Sequence, residues 1–349
     1  MRQQMRRMMG KPEKDDPAAG ALVYVSDSEP GITRRRAGKG FSYRGPDGRP
    51  LDRAELARVR SLGIPPAYTD VWICPLPNGH LQATGRDARG RKQYRYHPDW
   101  QASQSQTKYT QLAAFGQALP GLRRRLRRDL QGEVGDRAFS LAALVLLLDR
   151  TCLRVGNETY TAQNRTFGAS TLQTRHLRLS EDGFLQLRFR AKGGKLCRQT
   201  LRDKRLNRIL QDIGDLPGRN IFTYIDDSGA VRRLHSQDVN DYVADVVGQG
   251  FTAKTFRTWG GTLAAFELAS GLAPDQKLTI RMMADAAAER LFNTPLICRK
   301  SYIHPAVLGL AELAPEARVD LLGSLPRPDL AELRSSERSL LGFLTNQMG

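Results

Sequence analysis

The chain has 349 residues, enough for two domains that each bury a core. Lysine and arginine number 54 against 36 acidic residues, a formal charge of +18, so a polyanionic partner is favoured, because each neutralised phosphate releases condensed counterions. The longest apolar run, Leu141 to Leu148, is far below the ~20 residues that cross a bilayer, and neither the scattered Cys74, Cys152, Cys197 and Cys298 nor the five histidines show zinc-ligand spacing.

Residues 1 to 20 read as a disordered basic tail; Met1 to Gly10 holds four methionines and three arginines but no apolar core of a secretory signal. Leu51 to Leu62 reads as a short helix stopped at Gly63. Val71 to Cys74 and Leu81 to Thr84 read as strands around the Pro77-Asn78-Gly79 turn. A third strand follows Gly85 to Gly90. Alternation puts Lys92, Tyr94 and Tyr96 on one of its faces and Arg91, Gln93 and Arg95 on the other, so both faces carry hydrogen-bonding groups. That suits a solvated edge strand, or a strand laid against DNA.

The polar stretch Gln101 to Thr107 reads as a linker. Beyond it Leu122, Leu126 and Leu130 repeat at helical spacing, while Arg123, Arg124, Arg125, Arg127 and Arg128 fill the other faces, either as a solvated face or as a phosphate rail. Phe139 to Asp149 reads as a buried helix. Leu177 to Leu179, Leu185 to Phe189 and Leu196 to Leu201 alternate like strands, and from Asp203 onward the chain reads as mainly helical. The fold class expected is α+β: a small β-rich domain over 21–104 and a larger, mainly α domain over 105–349 with a small β insertion. The four thiols read as reduced and buried, as in a cytoplasmic protein.

Chemistry concentrates in Arg299-Lys300-Ser301-Tyr302-Ile303-His304-Pro305, where a phenol stands beside two cations. A phenol titrates near ~10 and is a poor nucleophile unless positive charge stabilises its anion. Cleaving a phosphodiester with such a group also needs charge on the nonbridging oxygens, which arginine supplies in bidentate form, and an acid for the leaving oxygen, which lysine can supply. No GxxxxGK[ST] loop and no dense acidic cluster occurs, so neither a nucleotide nor a metal cofactor is expected.

The order of these residues resembles the type IB DNA topoisomerases of the bacterial and poxvirus-like group. Leu153-Arg154-Val155-Gly156-Asn157-Glu158 resembles the segment of the first catalytic arginine, Arg154. Phe189-Arg190-Ala191-Lys192-Gly193-Gly194-Lys195 resembles the hairpin of the acidic lysine, with Lys192 in that position and Lys195 its competitor. Lys254-Thr255-Phe256-Arg257 matches a DNA-facing lysine, Lys254, and the second arginine, Arg257. Asn293 matches the assisting position, and Tyr302 the nucleophile. Gly85 to Tyr96 resembles a DNA-facing strand, with Arg91, Gln93, Tyr94 and Tyr96 as contacts.

The resemblance implies an isomerase that relaxes supercoiled duplex DNA through a 3′-phosphotyrosine, without ATP or metal. It further implies a bacterial, cytoplasmic, nucleoid-associated monomer clamped around DNA, with a catalytic domain of the topoisomerase IB and tyrosine recombinase type. A tyrosine site-specific recombinase is the nearest alternative. That class usually carries HxxR where this chain has Lys254-x-x-Arg257, and it lacks the Gly85 to Tyr96 segment. A noncatalytic basic DNA-binding protein is the third reading.

Overall fold

A computed structural model describes residues 22–216 and 218–347, and the chain divides at Lys108–Tyr109 into two compact units. The expected basic tail over 1–20 lies outside the described residues. The first unit is built on a five-stranded antiparallel sheet in the order β2-β1-β3-β4-β5. Its elements are β1 (Ile32–Ala37), β2 (Gly40–Arg44), α1 (Arg53–Ser61), β3 (Thr69–Ile73), β4 (Leu81–Arg86) and β5 (Lys92–Tyr96). Helix α1 starts where Asp52 accepts from the Glu55 amide at 2.8 Å and Glu55 accepts from the Asp52 amide at 3.1 Å, which satisfies two orphan donors reciprocally. Val59 of that helix packs with Ile32, Val71, Ile73 and Ala83 into a small core. Strand β5 forms one edge of the sheet and pairs with β4, Tyr94 opposite Thr84.

Helix α2 (Pro98–Thr110) contains the boundary between the units. The polar stretch 101–107 is therefore helical throughout. Pro98 fits a first helical turn, and no glycine or proline follows it to break the ladder.

The second unit continues with α3 (Leu112–Asp129), α4 (Arg137–Thr151) and α5 (Glu158–Asn164). An antiparallel sheet follows, of β6 (Leu177–Leu179), β7 (Phe184–Arg190) and β8 (Leu196–Arg202), then α6 (Lys204–Gly214). A hairpin of β9 (Thr223–Ile225) and β10 (Val231–Arg233) interrupts the stretch that the sequence reads as mainly helical. Its turn is set by Asp226, whose carboxylate accepts from the Ser228 and Ala230 amides, both at 3.0 Å. The remaining helices are α7 (Ser236–Val247), α8 (Ala253–Gly271), α9 (Ile280–Leu291), α10 (Pro295–Ser301), α11 (Pro305–Gly309), α12 (Pro315–Gly323) and α13 (Ser335–Asn346). One continuous core centres on α4, which is buried from Phe139 to Asp149. Among the described residues no helix is long and apolar enough to cross a membrane.

The arginine run of α3 does not share one fate. Arg123 is buried and donates to both oxygens of Asp149 at 2.9 and 3.0 Å and to both oxygens of Glu337 at 2.8 Å. Arg125 pairs with Asp129 and Arg127 with Glu332. Arg123 is thus neither a solvated residue nor part of a phosphate rail: its carboxylate partners come from distant parts of the chain, and a guanidinium can be buried only when so matched.

Candidate active site

The buried helix α4 ends at Cys152, whose left-handed backbone (φ 53°) turns the chain sharply into Leu153 and Arg154. The loop is fixed from its far side: the Arg154 carbonyl accepts from the Ala169 amide at 2.8 Å and the Val155 carbonyl from the Ser170 amide at 2.7 Å. A side chain at Gly168 would put Cβ 2.5 Å from the Gly156 Cα, so only glycine allows these strands of chain to meet. Arg154 itself is half-buried. Burial lowers its pKa, and the like charge of Arg257 lowers it further.

Arg257 lies near the start of α8 and is almost fully enclosed. Its Nη1 donates to the Cys152 carbonyl at 2.5 Å and its Nη2 to the Leu291 carbonyl at 3.0 Å, while the buried Nε has no partner. These bonds tie three elements, the ends of α4 and α9 and the first turns of α8. The guanidinium carbon stands 5.1 Å from the centre of the Tyr302 ring.

Tyr302 occupies the C-terminal cap of α10 and is buried. Burial raises a phenol's pKa, but the charge and hydrogen bonding of Arg257, then Arg154 and Lys254, outweigh it and carry Tyr302 below its ordinary value. The sequence neighbours Arg299 and Lys300 are exposed and are not among the leading charges. The cations that matter are brought by the fold.

Sequence reading missed the group that fixes this segment. The buried Thr262 hydroxyl donates to the Tyr302 carbonyl at 3.2 Å and accepts from the His304 amide at 3.1 Å, bracketing the tyrosine from both sides. Beside it, a Cβ on Gly260 would stand 2.2 Å from the Cys152 Sγ, and one on Gly261 would stand 2.8 Å from the Tyr302 carbonyl oxygen. The pair Gly260-Gly261 in mid-helix was the available signal, since glycine there costs ~1 kcal/mol each against alanine and implies a close approach.

Asn293 follows Phe292, which leaves α9 in the left-handed region (φ 50°). Its amide donates to the Ala288 carbonyl at 3.1 Å and its Oδ1 accepts from the Thr294 amide at 3.0 Å, whereas its buried Nδ2 has no partner. Lys192 opens the tight turn between β7 and β8 and is exposed. Lys195, on the other side of the turn, donates through Nζ to the Asn293 carbonyl at 3.1 Å. Lys254 is exposed in the first turn of α8. Arg154, Arg257, Asn293, Tyr302, Lys254 and Lys195 therefore belong to one cluster in the second unit.

The candidate DNA-facing residues lie in the first unit. Arg91 and Gln93 both donate to Asp87 Oδ2, at 2.8 and 3.0 Å, and Arg95 donates to the Leu62 carbonyl at 2.6 Å. Tyr94 and Tyr96 stack, with ring centres 6.1 Å apart, and Tyr94 is 52% exposed. One face of β5 is thus occupied internally, while the other presents aromatic rings.

The model of the eukaryotic DNA topoisomerase I catalytic core matches residues 97–291, more than half of the chain. The chain belongs to the type IB DNA topoisomerases. Enzymes of this kind are isomerases of DNA, so this topoisomerase acts on DNA as its substrate class. The matched span contains Arg154, Lys192, Lys254 and Arg257 and ends just before Asn293 and Tyr302. The model of the bacterial DNA topoisomerase IB N-terminal domain matches residues 40–87 of the topoisomerase, in the first unit. DNA topoisomerase 1B of Acanthamoeba polyphaga mimivirus is 29% identical over 326 residues, 89% of this chain and 97% of the viral protein.

Proposed function

We propose that this topoisomerase relaxes supercoiled duplex DNA by transient cleavage of one strand. Tyr302 Oη attacks the scissile phosphorus and gives its proton to solvent water. The P–O5′ bond breaks, leaving a 3′-phosphotyrosine and a 5′-hydroxyl that receives a proton from Lys192. Arg154 and Arg257 meet the charge on the nonbridging oxygens, Asn293 donates through Nδ2, and Lys254 adds to the field that favours the phenolate. The free end rotates about the intact strand, and the 5′-hydroxyl then attacks the phosphotyrosine to restore the backbone. The bond energy is kept in the covalent link, so the cycle requires neither ATP nor a metal ion. The chain acts as a monomer that closes on its duplex, and β5 contacts it through Tyr94 and Tyr96, with Arg91 and Gln93 released from Asp87.

The observation that carries this reading is the pair of buried donors without acceptors, Arg257 Nε and Asn293 Nδ2, in the cluster that holds a phenol with a lowered pKa. Buried donors are ordinarily paired, and leaving one unpaired costs about 1–3 kcal/mol. A phosphodiester supplies the missing acceptors.

The test uses supercoiled plasmid in EDTA without nucleotide, together with a duplex labelled at the 5′ end of the scissile strand. Wild type should give a ladder of relaxed topoisomers and carry label covalently. Tyr302→Phe should do neither while binding the duplex as well as wild type. Relaxation by Tyr302→Phe would remove Tyr302 from the chemistry.

A further inference from the structure

The hairpin between β7 and β8 is held at both ends to the elements that carry the other site residues. At its base the Arg190 carbonyl accepts from the Phe167 amide at 2.8 Å, in the segment that leads to the Ala169 amide on Arg154. At its tip the chain folds over Gly193 and Gly194, with φ of 80° and 77°, and the Ala191 amide closes on the Lys195 carbonyl at 2.7 Å. Both glycines are in the left-handed region, so the turn conformation that places Lys192 on one side and Lys195 on the other is available only to residues of this kind. From this tip Lys195 Nζ reaches the α9–α10 loop and donates to the Asn293 carbonyl at 3.1 Å. The Cys298 thiol is raised to about 11, burial outweighing the opposite pull of the Arg257, Arg154 and Lys195 charges, which accords with a Lys195 ammonium on the side of the two arginines.

Resting on the function proposed above, we infer that Lys195 is a positioning residue, a latch that seats the Lys192 hairpin against the Asn293 loop through that carbonyl, and is not itself the proton donor. The Asn293 backbone is already held by its own amide on the Ala288 carbonyl, so the bond acts on the other partner: it limits where the tip of the hairpin, and so Lys192, can stand. A cation that grips a carbonyl needs only to donate, and a guanidinium does this as well as an ammonium. A general acid must also give up its proton, which arginine does not do at neutral pH. The two roles are therefore separable by substitution.

The experiment measures single-turnover cleavage by the full chain on a duplex whose leaving strand dissociates after the cut. Two substrates are used: the natural one, and one with sulfur in place of the 5′-bridging oxygen, whose departure needs no proton. Lys192→Ala should be slow on oxygen and restored on sulfur, which checks the underlying assignment separately. Lys195→Met should be slower than wild type on oxygen by about tenfold, the worth of one charge-assisted hydrogen bond at a partly solvated site. It should be restored on sulfur, and Lys195→Arg should recover most of the loss on oxygen. Duplex affinity of all variants should stay within about twofold, because a hairpin latch adds no phosphate contact.

Three results would overturn the inference. If Lys195→Met cleaves like wild type, the latch does nothing. If Lys195→Arg is as slow as Lys195→Met and only sulfur rescues both, Lys195 is the acid. If sulfur fails to rescue Lys195→Met, the residue acts on the phosphate donors and not through the acid. Failure of wild type to cleave at all would instead overturn the proposed function.

Discussion

Replacing Arg123 by methionine should cost the second unit about 3–5 kcal/mol, the usual penalty for removing one partner of a buried ion pair. The figure follows from what would be left behind. Arg123 is 7% exposed at its side chain, Asp149 3% and Glu337 0%, so neither carboxylate can turn to water. Asp149 would keep only Arg150, at 3.4 Å, and Glu337 would keep Arg334 at 2.7 Å and the Arg334 amide at 2.8 Å. With a urea slope of about 3 kcal/mol/M, the midpoint should fall by about 1 to 1.7 M. Near-ultraviolet circular dichroism of the urea transition measures it.

Removing all three charges, with Asp149→Leu and Glu337→Met added, should recover most of the loss, because the penalty lies in the unpaired carboxylates. The pH dependence has a definite sign. Burial raises the pKa of Glu337, but Arg123 and Arg334 outweigh it and hold the group below its ordinary 4.5. Its contribution is thus present above pH 4.5 and lost as pH falls further, and this acid dependence should flatten in Arg123→Met. A single variant whose midpoint stays within about 0.3 M of wild type would refute the reasoning, since a solvated network loses under about 1 kcal/mol.

Thr262→Val keeps the shape but strands the Tyr302 carbonyl and the His304 amide, so stability should drop by about 2 kcal/mol and cleavage should slow, with Thr262→Ser near wild type in both; thermal melts and single-turnover rates measure the pair. Equal rates for valine and serine would show that the hydroxyl does not hold the tyrosine. Lys254→Ala removes one of the charges that lower the Tyr302 pKa, so the phenol should titrate higher. The rising limb of the cleavage pH profile, along which the phenolate forms, should move to higher pH, and an unmoved limb would mean that Lys254 does not act on the phenol. A Gly168→Ala variant should lose cleavage more than duplex affinity, because its Cβ would push the Arg154 loop away; gel-shift and cleavage assays on one preparation separate the two.

How much of this was legible in the sequence depends on the range of the interactions involved. The buried α4, the strands β6 to β8 and the edge strand β5 are written in periodicity, which is local. The sequence order of Arg154, Lys192, Lys254-x-x-Arg257, Asn293 and Tyr302 was legible too, although their roles rest on resemblance. Five arginines in α3 look alike in sequence because the partners that distinguish Arg123 lie 26 and 214 residues away. The same limit hid Thr262, whose two bonds span 40 and 42 residues. Arg299 and Lys300 misled in the opposite sense: adjacency in sequence suggested that they flank the phenol, but helix α10 leaves both exposed and the effective cations arrive from α8 and from the loop after α4. Strands of three residues, as in β9 and β10, offer too short a pattern to separate from helix, and there only Asp226 to Gly229 marked the turn.

The way Arg257 is held bears on why arginine, and not lysine, suits this position. Two of its nitrogens are committed to the Cys152 and Leu291 carbonyls, which orients the guanidinium plane before any substrate arrives. Nε is left buried and unpaired, and each committed nitrogen keeps a second N–H. An ammonium has no fixed fork and could not hold two carbonyls from different helices while presenting a third donor in a set direction. On the proposed assignment, the cost of that orphan donor and of Asn293 Nδ2 is carried by folding and is relieved when a phosphate binds, most of all as charge builds on its oxygens. Charge development then requires little reorganisation of the site, which is how fixed donors in a water-poor setting lower a barrier. Arg257→Lys should therefore be nearly as damaging to cleavage as Arg257→Ala, although it preserves the charge. A lysine variant cleaving within about threefold of wild type would show that charge alone is what the position supplies.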